Sequence, residues 1–282
     1  MTIQELEASI ERHFAAGPAA SSDPEAMAAF LALRTALENG EVRSASPDAA
    51  SPAGWRVNAW VKRGILLGFR LGALEEMPGP GLSFVDKHTY PARFFTRSQG
   101  IRIVPGGSSI RAGAYLARGV VCMPPMYINA GAYVDEGTMV DSHALVGSCA
   151  QIGKRVHLSA AAQIGGVLEP VNASPVVIED DVLVGGNCGV YEGAIVRKGA
   201  VLASGTILTR GTPVYDLVTG DVLRATAESP LIIPENAVVV PGSRAVTKGK
   251  GQDWGLSLYA AVIVKYRDDK TDLSTTLEDL LR

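Results

Sequence analysis

Residues 134–158 read VDEGTMVDSHALVGSCAQIGKRVHL, with an aliphatic residue at Val134, Val140, Val146, Ile152 and Leu158. An α-helix repeats its apolar face every 3.6 residues and a strand every 2, so a period of six fits neither. The period extends in both directions. Towards the N-terminus it takes in Val104, Ile110, Leu116, Cys122 and Ile128. Towards the C-terminus it reaches Ile164 and, after a short insertion, resumes at Ile178, Val184, Val190, Val196, Leu202, Leu208 and Val214. All eighteen positions carry an aliphatic residue or cysteine, in a chain whose hydrophobic content is only 47%. Two residues before the aliphatic there is usually a small side chain (Ala132, Thr138, Ala144, Ala150, Ala162, Ala194, Ala200, Thr206), and Gly, Asp or Asn often follows it. Such hexads are the signature of a parallel β-helix. Three hexads make one triangular coil, with the aliphatic inside, the small residue in a tight corner and left-handed turn conformations taken by Gly or Asn. Coils then satisfy one another's backbone groups above and below.

The flanks are different. Within residues 1–40, Ile3, Leu6, Ile10 and Phe14, and then PEAMAAFLALRTALENG, follow helical spacing. Residues 44–52 read as a turn-rich linker, 55–72 as a further helix, and EMPGPGLSFVDKHTYPARFF as a loop. Breaks in the hexads at 165–175 and 215–230 read as loops, and Ile233, Val239 and Ala245 as one restored coil. A strand is expected over 256–266, with a short closing helix after it. The chain thus reads as mainly β: an N-terminal helical domain (1–100), a left-handed parallel β-helix (101–250) and a small C-terminal extension (251–282).

Bulk properties narrow the function. The chain has 282 residues, ample for a buried core, with 31 glycines and only 6% aromatics, as many tight turns and small aliphatic fillers require. A net charge of −3 argues against a general nucleic-acid binder. Cys122, Cys149 and Cys188 lie far apart with no CxxC pair, which points to a reducing compartment and away from disulfides or structural zinc. Residues 1–17 do not read as a signal peptide, and no apolar run reaches membrane-spanning length, so a cytoplasmic protein without membrane partners is expected. A three-histidine zinc site has little to build on: His13, His88, His143 and His157 are the only histidines, and only the last two lie in the repeat. No metal is expected. Flat-sided prisms are expected to associate as homotrimers with sites between subunits. Left-handed hexapeptide prisms are associated with acyl transfer from CoA or acyl carrier protein, though fold alone does not establish function.

The stretch 131–159 (GAYVDEGTMVDSHALVGSCAQIGKRVHLS) strongly resembles the tetrahydrodipicolinate N-succinyltransferase family. So do 100–121, IGGVLEP (164–170), SLYAAVIVKY (257–266) and the segment 55–71. DEGTMVD and VGSCAQIGKRVHLS exceed anything the fold requires. The resemblance implies transfer of succinyl from succinyl-CoA to the amine of ring-opened tetrahydrodipicolinate, a step in diaminopimelate and lysine synthesis. It also implies that Arg102 and Asp141 bind the dicarboxylate substrate. A planar guanidinium suits a carboxylate, and a carboxylate at a coil corner can accept the proton that an attacking amine must lose. The competing reading of Asp141 is a turn-capping residue, as expected of Asp135 and of Asp180 or Asp181. His157 is either a base or an interface filler.

Two departures stand out against the family's pattern. Gly189 occupies the position at which the resemblance calls for a catalytic Glu, leaving Glu192 as the nearest carboxylate and a candidate catalytic residue. VHLSAAAQIGGV replaces a glycine-rich stretch, which could reshape the acyl pocket. Both leave acetyl-CoA open as an alternative donor, and a non-catalytic interaction protein as a second alternative. There is no GxxxxGK[ST] phosphate loop. The candidate CoA contacts are backbone at Gly185, Gly186, Ala203 and Ser204 for the pantetheine arm, and Arg244, Lys248 and Lys250 for the phosphates.

Overall fold

A computed structural model describes residues 1–79 and 82–267. The N-terminal helices form where caps and apolar spacing agree. Helix α1 (Ile3–Ala15) opens on Thr2, whose side chain accepts from the Glu5 N–H while Glu5 returns a bond to Thr2. Helix α2 (Pro24–Glu38) opens on Asp23 with Pro24 in the first turn, and buries Ala26, Ala29, Phe30, Leu33, Ala36 and Leu37. Helix α3 begins later than its spacing suggests, at Ala59, and runs to Leu71. Residues Trp55–Val57 form instead a strand paired antiparallel with Ala45–Pro47, inside the expected linker. Tertiary bonds explain the shift: Trp55 Nε1 donates to Glu179 Oε1 at 3.0 Å, and Asn58 Nδ2 is held by Arg43 O and Ser46 Oγ. Part of the expected loop after α3 is instead a pair of antiparallel strands, Leu74–Gly79 with Leu82–Lys87.

From Arg102 onward two-residue strands stack into a left-handed parallel β-helix with three faces. On the first, Leu116, Val134, Ile152, Ile178, Val196 and Ile233 stack in register. On the second, the column is Ile103, Cys122, Val140, Leu158, Val184, Leu202 and Val239. Ile110, Ile128, Val146, Ile164, Val190 and Leu208 line the third. Most steps are 18 residues; the first break lengthens the step to 26, as from Ile152 to Ile178, and the second to 37, as from Val196 to Ile233. At the first coil the expected register is off by one. Ile103, not Val104, lies beneath Cys122, because the step there is 19 residues. The other seventeen inward positions are buried, and the small residues two before them are buried too. The turn residue three after the inward one has positive φ in nearly every coil, including non-glycines such as His143 (62°) and Asn187 (55°).

The upper end departs from the hexad reading. Ile233 and Val239 restore a coil, but Ala245 does not belong to it. It is exposed at the end of the strand Ala237–Ala245, which leaves the prism and pairs antiparallel with Ser257–Tyr266. The expected loop 215–230 contains a small hairpin, Val214–Asp216 with Val222–Leu223, that extends the same sheet. The expected closing helix lies outside the described residues. A second core joins the helices to the prism, with Ala130 and Cys149 packing among Leu6, Ile10, Phe30, Leu33 and Ile65. Buried Lys62 reaches from α3 to the insertion, donating from Nζ to Ala173 O at 2.6 Å.

One contact tethers the terminal arm electrostatically. Tyr266 Oη donates to buried Asp216 Oδ2 at 2.6 Å. This bond pushes the Tyr266 phenol up to about 12. Burial works to raise Asp216, but bonds from Tyr266 and from the Val218 and Thr219 N–H groups outweigh it and hold the carboxyl below its usual range. The folded carboxyl is the stronger acid, so its stabilisation is present above the ordinary carboxyl range and lost as pH falls through the folded value. The folded phenol is the weaker acid, so its share is present below pH ~10 and lost as pH rises towards 12. Tyr266→Phe is expected to cost about 1–2 kcal/mol near neutrality and to flatten both limbs of a stability–pH profile from chemical denaturation.

Candidate functional site

On the second face each residue preceding an inward one points outward by strand alternation, which aligns Arg102, Val121, Met139, His157 and Leu183 in one column. The residue following the inward one turns the corner towards the third face, which places Asp141, Ser159, Gly185 and Ala203 along one edge of the prism. Asp141 is fixed there by its own N–H, which donates to Leu158 O at 2.9 Å. Its Oδ1 accepts from the Ser142 N–H at 2.7 Å, as Asp135 Oδ1 accepts from Glu136. To that extent it is a turn-forming Asp. Its second oxygen distinguishes it: Oδ2 lies 3.9 Å from His157 Nε2, with the two side chains 30% and 14% exposed. A carboxylate held by its turn and flanked by an imidazole can receive a proton and pass it on.

Other candidates divide by location. Arg102 is exposed on the lowest coil of the same face, two coils below Met139, or about 10 Å at a strand spacing of 4.7–4.9 Å. Glu192 lies on a different edge, between the third and first faces. Its backbone has φ 53°, and its Oε2 accepts from the Arg210 N–H one coil above at 2.8 Å, which is the work of a turn residue. Gly185, Gly186, Ala203 and Ser204 share the Asp141 edge. The N–H groups of Gly185 and Ala203 are engaged in the coil ladder, to Leu202 O and Val239 O. Among the described residues, those of Gly186 and Ser204 carry no such bond. Arg244, Lys248 and Lys250 lie on the projecting arm; Arg244 is opposite Leu258, and Lys250 Nζ pairs with Asp253 at 3.2 Å. Cavities of about 450 and 290 Å³ lie elsewhere, and neither is lined by Asp141.

The thiols are unsuited to carry an acyl group. Burial pushes Cys122 up to about 12 and Cys149 up to about 11, and it raises Cys188 as well. A thiol so weakly acidic supplies little thiolate near neutrality. Among the described residues the one grouping of metal-ligating side chains is His13, Asp23 and Glu25, at the junction of the first two helices. Arg12 lies 3.2 Å from Glu25 there and already supplies positive charge.

Comparison with known proteins fits this arrangement. Residues 5–71 match the family model described as tetrahydrodipicolinate N-succinyltransferase N-terminal, and residues 175–210 the hexapeptide repeat of succinyl-transferase. A protein from Azoarcus sp. (strain BH72) is 46% identical over 274 residues, covering 95% of this chain and 92% of that protein. One from Bradyrhizobium diazoefficiens is 44% identical over 292 aligned positions, covering all of both. Both are named 2,3,4,5-tetrahydropyridine-2,6-dicarboxylate N-succinyltransferase. This chain belongs to that family. The fold is shared with a Campylobacter jejuni protein described as a 2,3,4,5-tetrahydropyridine-2-carboxylate N-succinyltransferase. That similarity has a TM-score of 0.52 at 17% identity and covers 83% of this chain and 62% of that one.

Gly189 has a structural setting that sequence reading missed. A Cβ at Gly189 would stand 2.4 Å from Tyr191 Cε2 and 2.9 Å from its hydroxyl oxygen, so the Tyr191 ring occupies the space into which a side chain at 189 would project. The same ring passes 2.8 Å from a Cβ built at Gly165, one coil below. Two glycines thus seat one aromatic ring. The signal was present as YEG following a glycine at a strand position that is rarely Gly. Steric coupling is the expected consequence. Gly189→Ala should destabilise by about 1–3 kcal/mol on its own and by clearly less in the Tyr191→Ala background, in a double-mutant cycle read by denaturant unfolding. The pairing of His157 with Asp141 was also readable: in a repeat of 18, residue 157 lies one coil above 139, two positions from 141.

Proposed function

We propose that the protein transfers succinyl from succinyl-CoA to the amino group of ring-opened tetrahydrodipicolinate, giving N-succinyl-2-amino-6-oxopimelate and CoA in diaminopimelate and lysine biosynthesis. The observation that carries this is family membership at 46% identity over 95% of the chain, joined to a corner carboxylate, Asp141, beside an imidazole. The amine nitrogen bonds to the thioester carbonyl carbon, the C–S bond breaks, and CoA leaves as the thiolate. Asp141, with His157, takes the proton from the amine nitrogen and returns it to the departing sulfur. The raised thiols favour this direct transfer over an acyl-cysteine intermediate. Arg102 is assigned to a substrate carboxylate, and the Gly186 and Ser204 N–H groups to the pantetheine arm or the oxyanion. The arm cations Arg244, Lys248 and Lys250 are assigned to the CoA phosphates. The spacing of these groups along an open edge favours a homotrimer in which a second subunit closes the groove, within the cytoplasm. Residues 1–100, 101–250 and 251–282 are proposed as its three parts.

Acetyl-CoA is the second reading for the donor, favoured by the Tyr191 ring, which takes volume from the face beside this edge. Thiol release with each donor, with and without tetrahydrodipicolinate, separates the two. Acceptor-dependent release with succinyl-CoA at least ~10-fold faster than with acetyl-CoA is expected. The reverse preference would assign the acetyl reaction, and release without acceptor would count against transfer. Light scattering is expected to give three times the chain mass, and a monomer mass would contradict the shared groove.

A further inference from the structure

The larger cavity, about 450 Å³, lies far from Asp141, among α1, the segment after α2, the strand Trp55–Val57 and the start of α3. Arg43 forms part of its wall. This guanidinium is unusually well positioned. Its Cζ lies 3.6 Å from the Tyr133 ring centroid and 5.4 Å from that of Trp55. Its Nε donates to Gln151 Oε1 at 2.8 Å, and Gln151 is itself fully buried and tied through Nε2 to Cys149 O at 2.8 Å. Arg43 is therefore held in one orientation from three sides. Among the described residues, its terminal Nη atoms have no hydrogen-bond acceptor, and no carboxylate lies within 4.0 Å of it. Desolvation makes Arg43 less basic than usual, against a smaller opposing attraction from Tyr133, Asp135 and Asp180.

The remaining charges of the cavity indicate what would fit. Arg63 is satisfied by Glu11 in a two-pronged pair at 2.6 and 2.7 Å, and Arg56 faces Asp48 at 3.6 Å. Glu41 meets only the neutral Asn39 amide, at 3.0 Å, and Glu7 has no protein partner among the described residues. Subtracting the internal pairs leaves one oriented guanidinium in the wall and two exposed carboxylates at the rim. A simple anion would satisfy the first and be repelled by the second. A diamine would do the opposite.

We propose that this cavity binds a free α-amino acid, with its carboxylate on the Arg43 fork and its ammonium towards Glu41 and Glu7. The guanidinium fork matches a carboxylate bidentately, and its orientation is already fixed before binding. Arg43 also grips the prism through Gln151 and Tyr133, so occupancy couples the helical part to the β-helix and stabilises the chain against heat. This site is independent of the transferase corner.

Calorimetric titration of the full chain tests the proposal with L-lysine, L-glutamate and L-alanine against succinate, 1,5-diaminopentane and inorganic phosphate. At least one amino acid is expected to bind with a Kd below ~1 mM, about 10-fold or more tighter than any of the three controls. Glu41→Gln, at an exposed rim position that the fold does not need, is expected to weaken the amino acid about 5-fold or more and leave succinate unchanged. Arg43→Gln is expected to abolish binding, and Asp141→Asn to leave it intact. Absence of amino-acid binding at ~10 mM overturns the proposal, and so does succinate or phosphate binding as tightly as the amino acids. Loss of binding in Asp141→Asn with retention in Glu41→Gln would move the ligand to the transferase corner and equally overturn it.

Discussion

Asp141→Asn is expected to lower kcat/KM for acceptor-dependent thiol release by about 10²- to 10⁴-fold, the range attributable to a positioned general base. The amide preserves shape and can still accept from the Ser142 N–H through its carbonyl oxygen, so the turn and the fold should survive. What it removes is the oxygen that lies 3.9 Å from His157 and can hold a proton. The loss should fall mainly on kcat if Asp141 acts in proton transfer, and on KM if it only binds the acceptor. His157→Asn should cost less, about 10-fold or more. Glu192→Gln provides the contrast. Its carboxylate serves the Arg210 N–H on another edge, so activity close to wild type is expected. A collapse of activity in Glu192→Gln with Asp141→Asn nearly unchanged would reverse the assignment of the base.

The largest expected effect on stability comes from a glycine rather than an inward aliphatic. Gly147→Ala would place a Cβ 2.2 Å from Gly166 N and 2.6 Å from Gly166 Cα, where the insertion crosses the preceding coil. Both contacts are with backbone, so no side chain can swing aside, and the insertion or the coil must move. A cost of about 3 kcal/mol or more is expected in urea unfolding at matched protein concentration. Gly205→Ala is the control. Gly205 has φ 80° and nothing within 4 Å of a built Cβ, so only the left-handed backbone conformation is penalised, at about 1 kcal/mol. Equal costs at the two positions would show that backbone crowding at the insertion is not what selects Gly147.

These contrasts also mark how far the sequence could be read. The prism was legible because its period is enforced at every coil. An inward aliphatic, a small residue two before it and a turn residue three after it recur together, so even a cysteine at 122 falls into register. The reading failed where the period ended. Ile103 replaced Val104 because one extra residue separates the first coil from the second, and a hexad pattern cannot register that at its own terminus. Ala245 satisfied the spacing by chance, while its strand had already left the prism to pair with Ser257–Tyr266. Trp55–Val57 carried helical spacing, but pairing with Ala45–Pro47 and the Trp55 bond to Glu179, 124 residues away, made it a strand followed by a late helix start. Local pattern cannot contain those partners. At the site, Asp141 was found through a motif and His157 through the same motif, but their adjacency required the coil register. The Tyr191 ring over Gly189 required coordinates. So did the Arg43 cavity, because an arginine between a helix and a turn-rich linker gives no hint that two rings and a glutamine hold it.

Mass spectrometry of the product formed from tetrahydrodipicolinate with equimolar succinyl-CoA and acetyl-CoA in one vessel tests the central claim most directly. The account predicts an N-succinylated 2-amino-6-oxopimelate as the dominant product, absent when Asp141→Asn replaces the wild-type protein. A dominant N-acetylated product, or a succinylated product formed equally well by Asp141→Asn, would contradict it.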